Sequence, residues 1–199
     1  MIIVRSAVGK VMDSMVYAVS ESARRDYYLI DIGDFDVTRS LLPAEARVSG
    51  VFITHGHHDH ILGLNRLREA FPECQVFASE ECERMLKSAK DNLSFYVDTP
   101  FVYTGEVHLL EDGDKVKLFD DVILTVLATP GHNPSCLSFE IENYLFTGDS
   151  YIPGVDVVTN LPGGNKRIAQ ESVKRIMEAG HSKTICPGHH VITGETLSI

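Results

Sequence analysis

At 199 residues, 44% of them hydrophobic, the chain can close a sizeable core and has the ordinary makeup of one globular domain over 1–199. A formal net charge of −10, from 18 basic and 28 acidic residues, argues against a surface built for nucleic acid. No apolar run reaches membrane-span length, no leader peptide is read in Met1–Val11, and the four cysteines form no C-x-x-C pair, so the expectation is a cytoplasmic protein with reduced thiols. In chain order, Ile2–Val4 and Ser14–Ser20 read as strands, the second alternating around Met15, Tyr17 and Val19. Tyr27–Ile32 reads as a third strand ending in Asp31-Ile32-Gly33-Asp34. Gly33 there signals a turn, and Asp31 is either a turn residue or an outer support for the ligand cluster that follows. Leu41–Arg47 reads as a short helix opened by Pro43, and Val48–Thr54 as the strand leading into the densest motif of the chain.

That motif is Thr54-His55-Gly56-His57-His58-Asp59-His60, in which five of seven residues can bind a metal. On extended backbone, side chains two apart point the same way, so His55 and His57 can share one ion. Asp59 and His60 follow at the expected start of a helix near Ile61, where they can face a second ion. Gly56 allows the tight turn between them.

Ile61, Leu64, Leu67 and Arg68 have helical spacing, with Pro72 just beyond. Gln75–Ala78 reads as a strand and Glu80–Lys90 as a helix. Asp91–Gly105 has no clear period and reads as a long loop; its aromatics Phe95, Tyr96, Phe101 and Tyr103 either wall a substrate cleft or pack on the domain, with Tyr96 a candidate substrate contact. Asp112-Gly113-Asp114 reads as a turn before the alternating Val116 and Leu118. One pattern then recurs. Val122–Leu127 runs into Thr129-Pro130-Gly131-His132, Tyr144–Phe146 into Thr147-Gly148-Asp149, and Lys183–Cys186 into Pro187-Gly188-His189-His190. Between the last two lies an amphipathic helix, Ala169–Gly180, with Val173, Ile176 and Met177 expected inward. Just before it, Lys166 or Arg167 is a candidate for an anionic substrate group; an exposed basic loop is the plainer reading. His58 and His190 are expected to point away from the cluster, and His108 and His181 to sit on the surface. Layered α/β folds gather their sites beyond the strand ends, so His55, His57, Asp59, His60, His132, Asp149 and His189 are expected to converge on one edge.

The motif His55-x-His57-x-Asp59-His60, with His132 in TPGH, Asp149 in TGDS and His189 in PGH, resembles the metallo-β-lactamase superfamily over nearly the whole chain. The resemblance implies an α/β fold, an αβ/βα four-layer sandwich of two central mixed sheets flanked by helices. It implies two divalent metal ions, zinc first, with iron or manganese also compatible with these ligand types. His55, His57 and His132 would bind one ion and Asp59, His60 and His189 the other, with Asp149 bridging; Asp59 and Asp149 also take the catalytic role. Such a centre lowers the pKa of bound water from roughly 15.7 to about 7, giving a hydroxide nucleophile.

Departures narrow the choice. Ser150 after Asp149, and no cysteine close behind His132, separate the chain from the β-lactam-hydrolysing branch with a Cys-containing second site. His57 stands where the flavin-linked di-iron branch has Glu. The motif set is that of glyoxalase II-like thioester hydrolases, but without their C-terminal helical domain and with Asn133-Pro134-Ser135 in place of Thr-Pro-Gly. The expectation is therefore a hydrolase of a thioester or other ester-like bond, such as a lactone, in a small metabolite, glutathione being only one candidate carrier. No nucleic-acid or membrane partner is expected. An iron-dependent persulfide dioxygenase and a phosphodiesterase of the same superfamily are the alternatives.

Overall fold

The computed structural model describes residues 1–190 and shows two mixed sheets facing each other, with helices outside both. The first sheet runs in sequence order: β1 (Ile2–Val8), β2 (Met15–Glu21), β3 (Asp26–Ile30), β4 (Arg47–Phe52), β5 (Gln75–Ala78) and β6 (His108–Leu109). Its first three strands are antiparallel and its last four parallel, β3 belonging to both runs. In the second sheet β7 (Lys115–Lys117), β8 (Ile123–Ala128), β9 (Leu137–Ile141) and β10 (Tyr144–Gly148) are antiparallel, and β11 (Thr184–Pro187) runs parallel to β10. Helices α1 (Phe35–Leu41), α2 (His58–Ile61), α3 (Leu64–Ala70) and α4 (Glu80–Leu86) belong to the first half; α5 (Lys166–Ala179) covers the second sheet.

Alternation along the strands divides the apolar residues among three cores. Val51 and Ile53 pack with Ile61, Leu64, Leu67 and Leu86 from the helices, while Phe52 between them faces the other sheet. There Phe52 stacks on Phe77, with ring centroids 4.6 Å apart, and meets Phe139 edge-on at 5.6 Å. In the second sheet Val126 and Phe146 join that inter-sheet core, whereas Leu127 and Leu145 turn outward to Ile176 of α5. The layers are thus helix, sheet, sheet, helix, as the resemblance implies.

Several elements differ from the sequence reading. The helix expected at 41–47 lies at Phe35–Leu41, because the Asp34 carboxylate caps it by accepting from Val37 N at 3.1 Å, and Pro43 follows its end. β9 was not anticipated, although Leu137, Phe139 and Ile141 alternate into the inter-sheet core. α4 stops at Leu86, where the Lys87 amide turns back to Arg84 O. α5 starts at Lys166, capped by Asn165, and its inward face is Ala169, Ser172 and Ile176; Met177 is 52% exposed. All four cysteines are free, and three are buried. No helix among the described residues is long and apolar enough to cross a membrane.

Candidate metal centre

The seven histidine and aspartate side chains singled out above meet at one end of the two sheets. His55, His57, Asp59 and His60 come from the turn after β4 and from α2, His132 from the loop after β8, Asp149 directly after β10, and His189 two residues after β11. Ligand atoms of His55, His57 and His132 lie within 4.8 Å of one another, and so do those of Asp59, His60 and His189. Asp149 lies between these groups: Oδ2 is 3.5 Å from His132 Nε2 and 3.3 Å from His189 Nε2, and Oδ1 is 3.5 Å from His60 Nε2. Asp59 Oδ2 is 3.2 Å from His189 Nε2 and 3.4 Å from His60 Nε2. Glycine is required beneath this cluster, since a Cβ on Gly188 would come 2.2 Å from Asp149 Oδ1.

Bonds made behind the cluster decide which nitrogen each ring presents. Asp31, in the left-handed region at φ 57°, accepts from Thr54 N (2.7 Å), Thr54 Oγ1 (2.8 Å) and His60 Nδ1 (2.9 Å). With its own proton given to Asp31, Thr54 Oγ1 accepts from His55 Nδ1 at 3.1 Å. His132 Nδ1 donates to Val158 O and His189 Nδ1 to Met12 O, both at 2.8 Å. Four rings therefore turn Nε2 inward. His57 differs. Asn133 Oδ1 accepts from Ser135 N and Oγ, so its amide NH₂ faces His57 Nε2 at 3.2 Å, leaving the neutral ring's proton on Nδ1, 3.0 Å from His132 Nε2. To ligate through Nδ1, His57 must first release that proton.

Charge state separates His55 and His57 from His60 and His189. Burial, then the neighbouring His60, His57 and His132, push His55 well below its ordinary value; burial and His132 push His57 down to about 3. These rings are neutral, as ligands must be. Burial also works against protonation of His60 and His189, but carboxylates outweigh it: Asp59, Asp149 and Asp31 raise His60 well above the ordinary range, and Asp149 and Asp59 carry His189 to about 10. Burial favours the neutral acid at Asp59 and Asp149, yet His60 and His189 hold both below the usual carboxylate range. His55 Nε2 and Asp149 Oδ1 are buried in this cluster without a hydrogen-bond partner. Buried orphans of this kind cost about 1–3 kcal/mol each, and a divalent ion satisfies a lone pair and a carboxylate oxygen together. The donor set fits two such ions.

A cleft of about 1050 Å³ opens over the cluster, bordered by His57, Asp59, His132, Asp149 and His189. Tyr96 lines it, as do Leu93 and Val97 of the same loop, whereas Phe101 and Tyr103 are buried in the helix-side core. Arg167 lies outside the cleft, exposed and paired with Glu171 at 2.8 Å in the first turns of α5. His58, expected to point away, borders the cleft, and its buried Nδ1 has no partner. His108 is half-buried with its ring 5.1 Å from Phe77, while His181 and His190 are exposed. The sequence reading did not anticipate the Val158 and Met12 carbonyls: a backbone acceptor leaves no mark in residue type.

Residues 17–189 match the metallo-beta-lactamase superfamily. The chain belongs to this superfamily. Its relatives include the hydroxyacylglutathione hydrolase of Salmonella paratyphi A, 30% identical over 104 residues, 52% of this chain and 34% of that protein; the chain thus spans about a third of that relative's length. Among solved structures, BLEG-1 B3 metallo-beta-lactamase gives a TM-score of 0.86 at 21% identity, over 96% of this chain and 93% of that one. TTHA1623 in a di-iron-bound form gives 0.78 at 22% identity, over 94% and 92%. At these identities the structural likeness establishes the fold, the αβ/βα sandwich of the metallo-β-lactamase type.

Proposed function

We propose that this superfamily member is a dinuclear metal-dependent hydrolase that cleaves a thioester or other ester-like bond of a small molecule, working as one domain over 1–199. The observation that carries the reading is the pair of ligand groups sharing Asp149 at the floor of an open cleft. His55, His57 and His132 would hold one ion, Asp59, His60 and His189 the other, and Asp149 would span them. Zinc suits these imidazole and carboxylate donors, as do iron and manganese. Two such ions supply a hydroxide at neutral pH and positive charge for a developing oxyanion.

The chain's own residues supply the rest. Asp31 and Thr54 fix the His60 and His55 rings, so the donors need not reorganise during reaction. Asp59 and Asp149 offer carboxylate oxygens beside the reacting centre. A thioester suits this arrangement because a thiolate leaves without a strong acid to protonate it. A long polyanion does not, because each neutralised phosphate calls for a nearby Lys or Arg and the net charge is −10.

Elemental analysis of protein prepared without chelator is expected to find about two transition-metal ions per chain, and Asp149→Ala to lose one of them with the activity. One ion or none after supplementation contradicts the dinuclear assignment. A panel of thioesters, lactones, β-lactams and phosphodiesters tests the reaction, with thioesters and lactones expected to turn over. Phosphodiester cleavage alone overturns that choice; oxygen consumption with a persulfide, without hydrolysis, replaces it with the dioxygenase reading.

A further inference from the structure

We infer that the cleft above the centre is a site for an aliphatic acyl chain, and that the substrate is an ester or thioester of a fatty-type carboxylic acid on a carrier with little negative charge. This rests on the hydrolase reading above and narrows its substrate.

Fourteen large apolar side chains stay exposed among the described residues, and six of them line this one cleft. Val155, Val158 and Leu161, exposed by 41%, 47% and 37%, stand along one segment of its lining; Tyr96 and Val97, exposed by 68% and 45%, stand on another; Met12 is the sixth. Such exposure is unfavourable until something apolar covers it, and its concentration beside a candidate catalytic centre is the mark of a binding surface. The lining is continuous with the centre, since His57, Asp59, His132, Asp149 and His189 border the same space. A chain attached to a carbonyl held at the centre would leave the cluster directly along these side chains.

Charge selects against the other end of a large anionic thiol. Among the described residues lining the cleft, Lys90 is the sole lysine or arginine, and it stands with Glu81 and Asp91. A carrier with several carboxylates or phosphates would meet more acid than base there. A neutral or singly charged leaving thiol meets no such barrier. In the reaction, water adds across the acyl–sulfur bond, giving the carboxylate, the free thiol and one proton.

The test uses the full metal-loaded chain and N-acetylcysteamine thioesters of acetate, butyrate, hexanoate and octanoate, whose leaving thiol is uncharged. Burying each added methylene is expected to raise kcat/KM about three- to fourfold until the cleft is filled. Leu161→Ser and Val97→Ser are expected to lower the octanoyl-to-acetyl ratio by about tenfold, with metal content unchanged. Calorimetry with the matching amides, which bind without reacting, gives a readout independent of turnover: the octanoyl amide is expected to bind at least tenfold more tightly than the acetyl amide. Thioester turnover with flat chain-length dependence in both series overturns the acyl-chain site and leaves the hydrolase standing. Length-dependent amide binding without turnover of any ester supports the site and removes the hydrolase.

Discussion

His189 enters the fold with an ordinary imidazole and is held there at about 10, because hydrogen bonds to Asp149 and Asp59 outweigh its burial. A group whose folded pKa is raised stabilises the fold fully below its unfolded value, about 6.5, and loses that contribution as pH climbs toward 10. His57 acts in the opposite sense. Burial lowers it to about 3, so below about 6.5 only the unfolded chain takes up the proton, and stability is lost as pH drops from there toward 3. The metal-free protein is therefore expected to melt at its highest temperature near neutral pH and lower on either side. Differential scanning calorimetry in chelator checks this, and a melting temperature that climbs steadily from pH 7 to pH 9 contradicts it. Metal has to displace the protons of His60 and His189, so affinity for the second ion is expected to rise over that same interval. Asp31→Asn keeps an acceptor for Thr54 but removes the charge facing His60. Competition with a chelator is expected to show metal affinity lower by roughly 10- to 100-fold.

Among the elements, the segment from Asp91 to Gly105 shows how a loop without period is held. The Asn92 side chain, fully buried, donates to Phe101 O (3.0 Å) and Met85 O (3.2 Å) and accepts from Ser94 N (3.0 Å). Leu93 and Asp98, both at positive φ, bracket the 3-10 turn Ser94–Val97 that carries Tyr96 to the cleft. Asn92→Ala is expected to cost about 1–3 kcal/mol of stability, through stranded buried carbonyls, and to raise KM. Tyr96→Ala is expected to change KM while the denaturation midpoint stays put. Paired denaturation and kinetic measurements separate the two. The same segment marks the limit of sequence reading. Phe101 and Tyr103 differ from Phe95 and Tyr96 only in what long-range packing does with them, and no local period announces it. Strands such as β4 were legible because alternation and burial coincide, and the ligand motifs because their residue types are rare together. Pro43 drew the reading of the first helix away from Asp34, the stronger start signal. At Asp31 a turn residue and a support for the cluster looked like alternatives; the left-handed backbone and the His60 bond show it is both.

For the molecule as a whole, the bond from His189 Nδ1 to Met12 O joins residues 177 apart in sequence. The start of β2 and the turn before it receive the segment after β11 through two further bonds, Met15 N to Gly188 O at 2.7 Å and His190 N to Asp13 O at 3.0 Å, which together form an isolated bridge between Ser14 and His189. Contacts of such separation carry the largest loop-closure entropy. His189, a ligand of the proposed second ion, is thus presented by a seam between segments far apart in sequence. An ion held by Asp59, His60 and His189 would latch that seam to α2; without one, the seam is tied to α2 through the His189–Asp59 contact. Hydrogen exchange at the Met15 and His190 amides is expected to quicken in chelator while the central strands β4 and β9 keep their protection. The residence time of one ion would then help set how long the turn after β1 stays joined to the segment after β11.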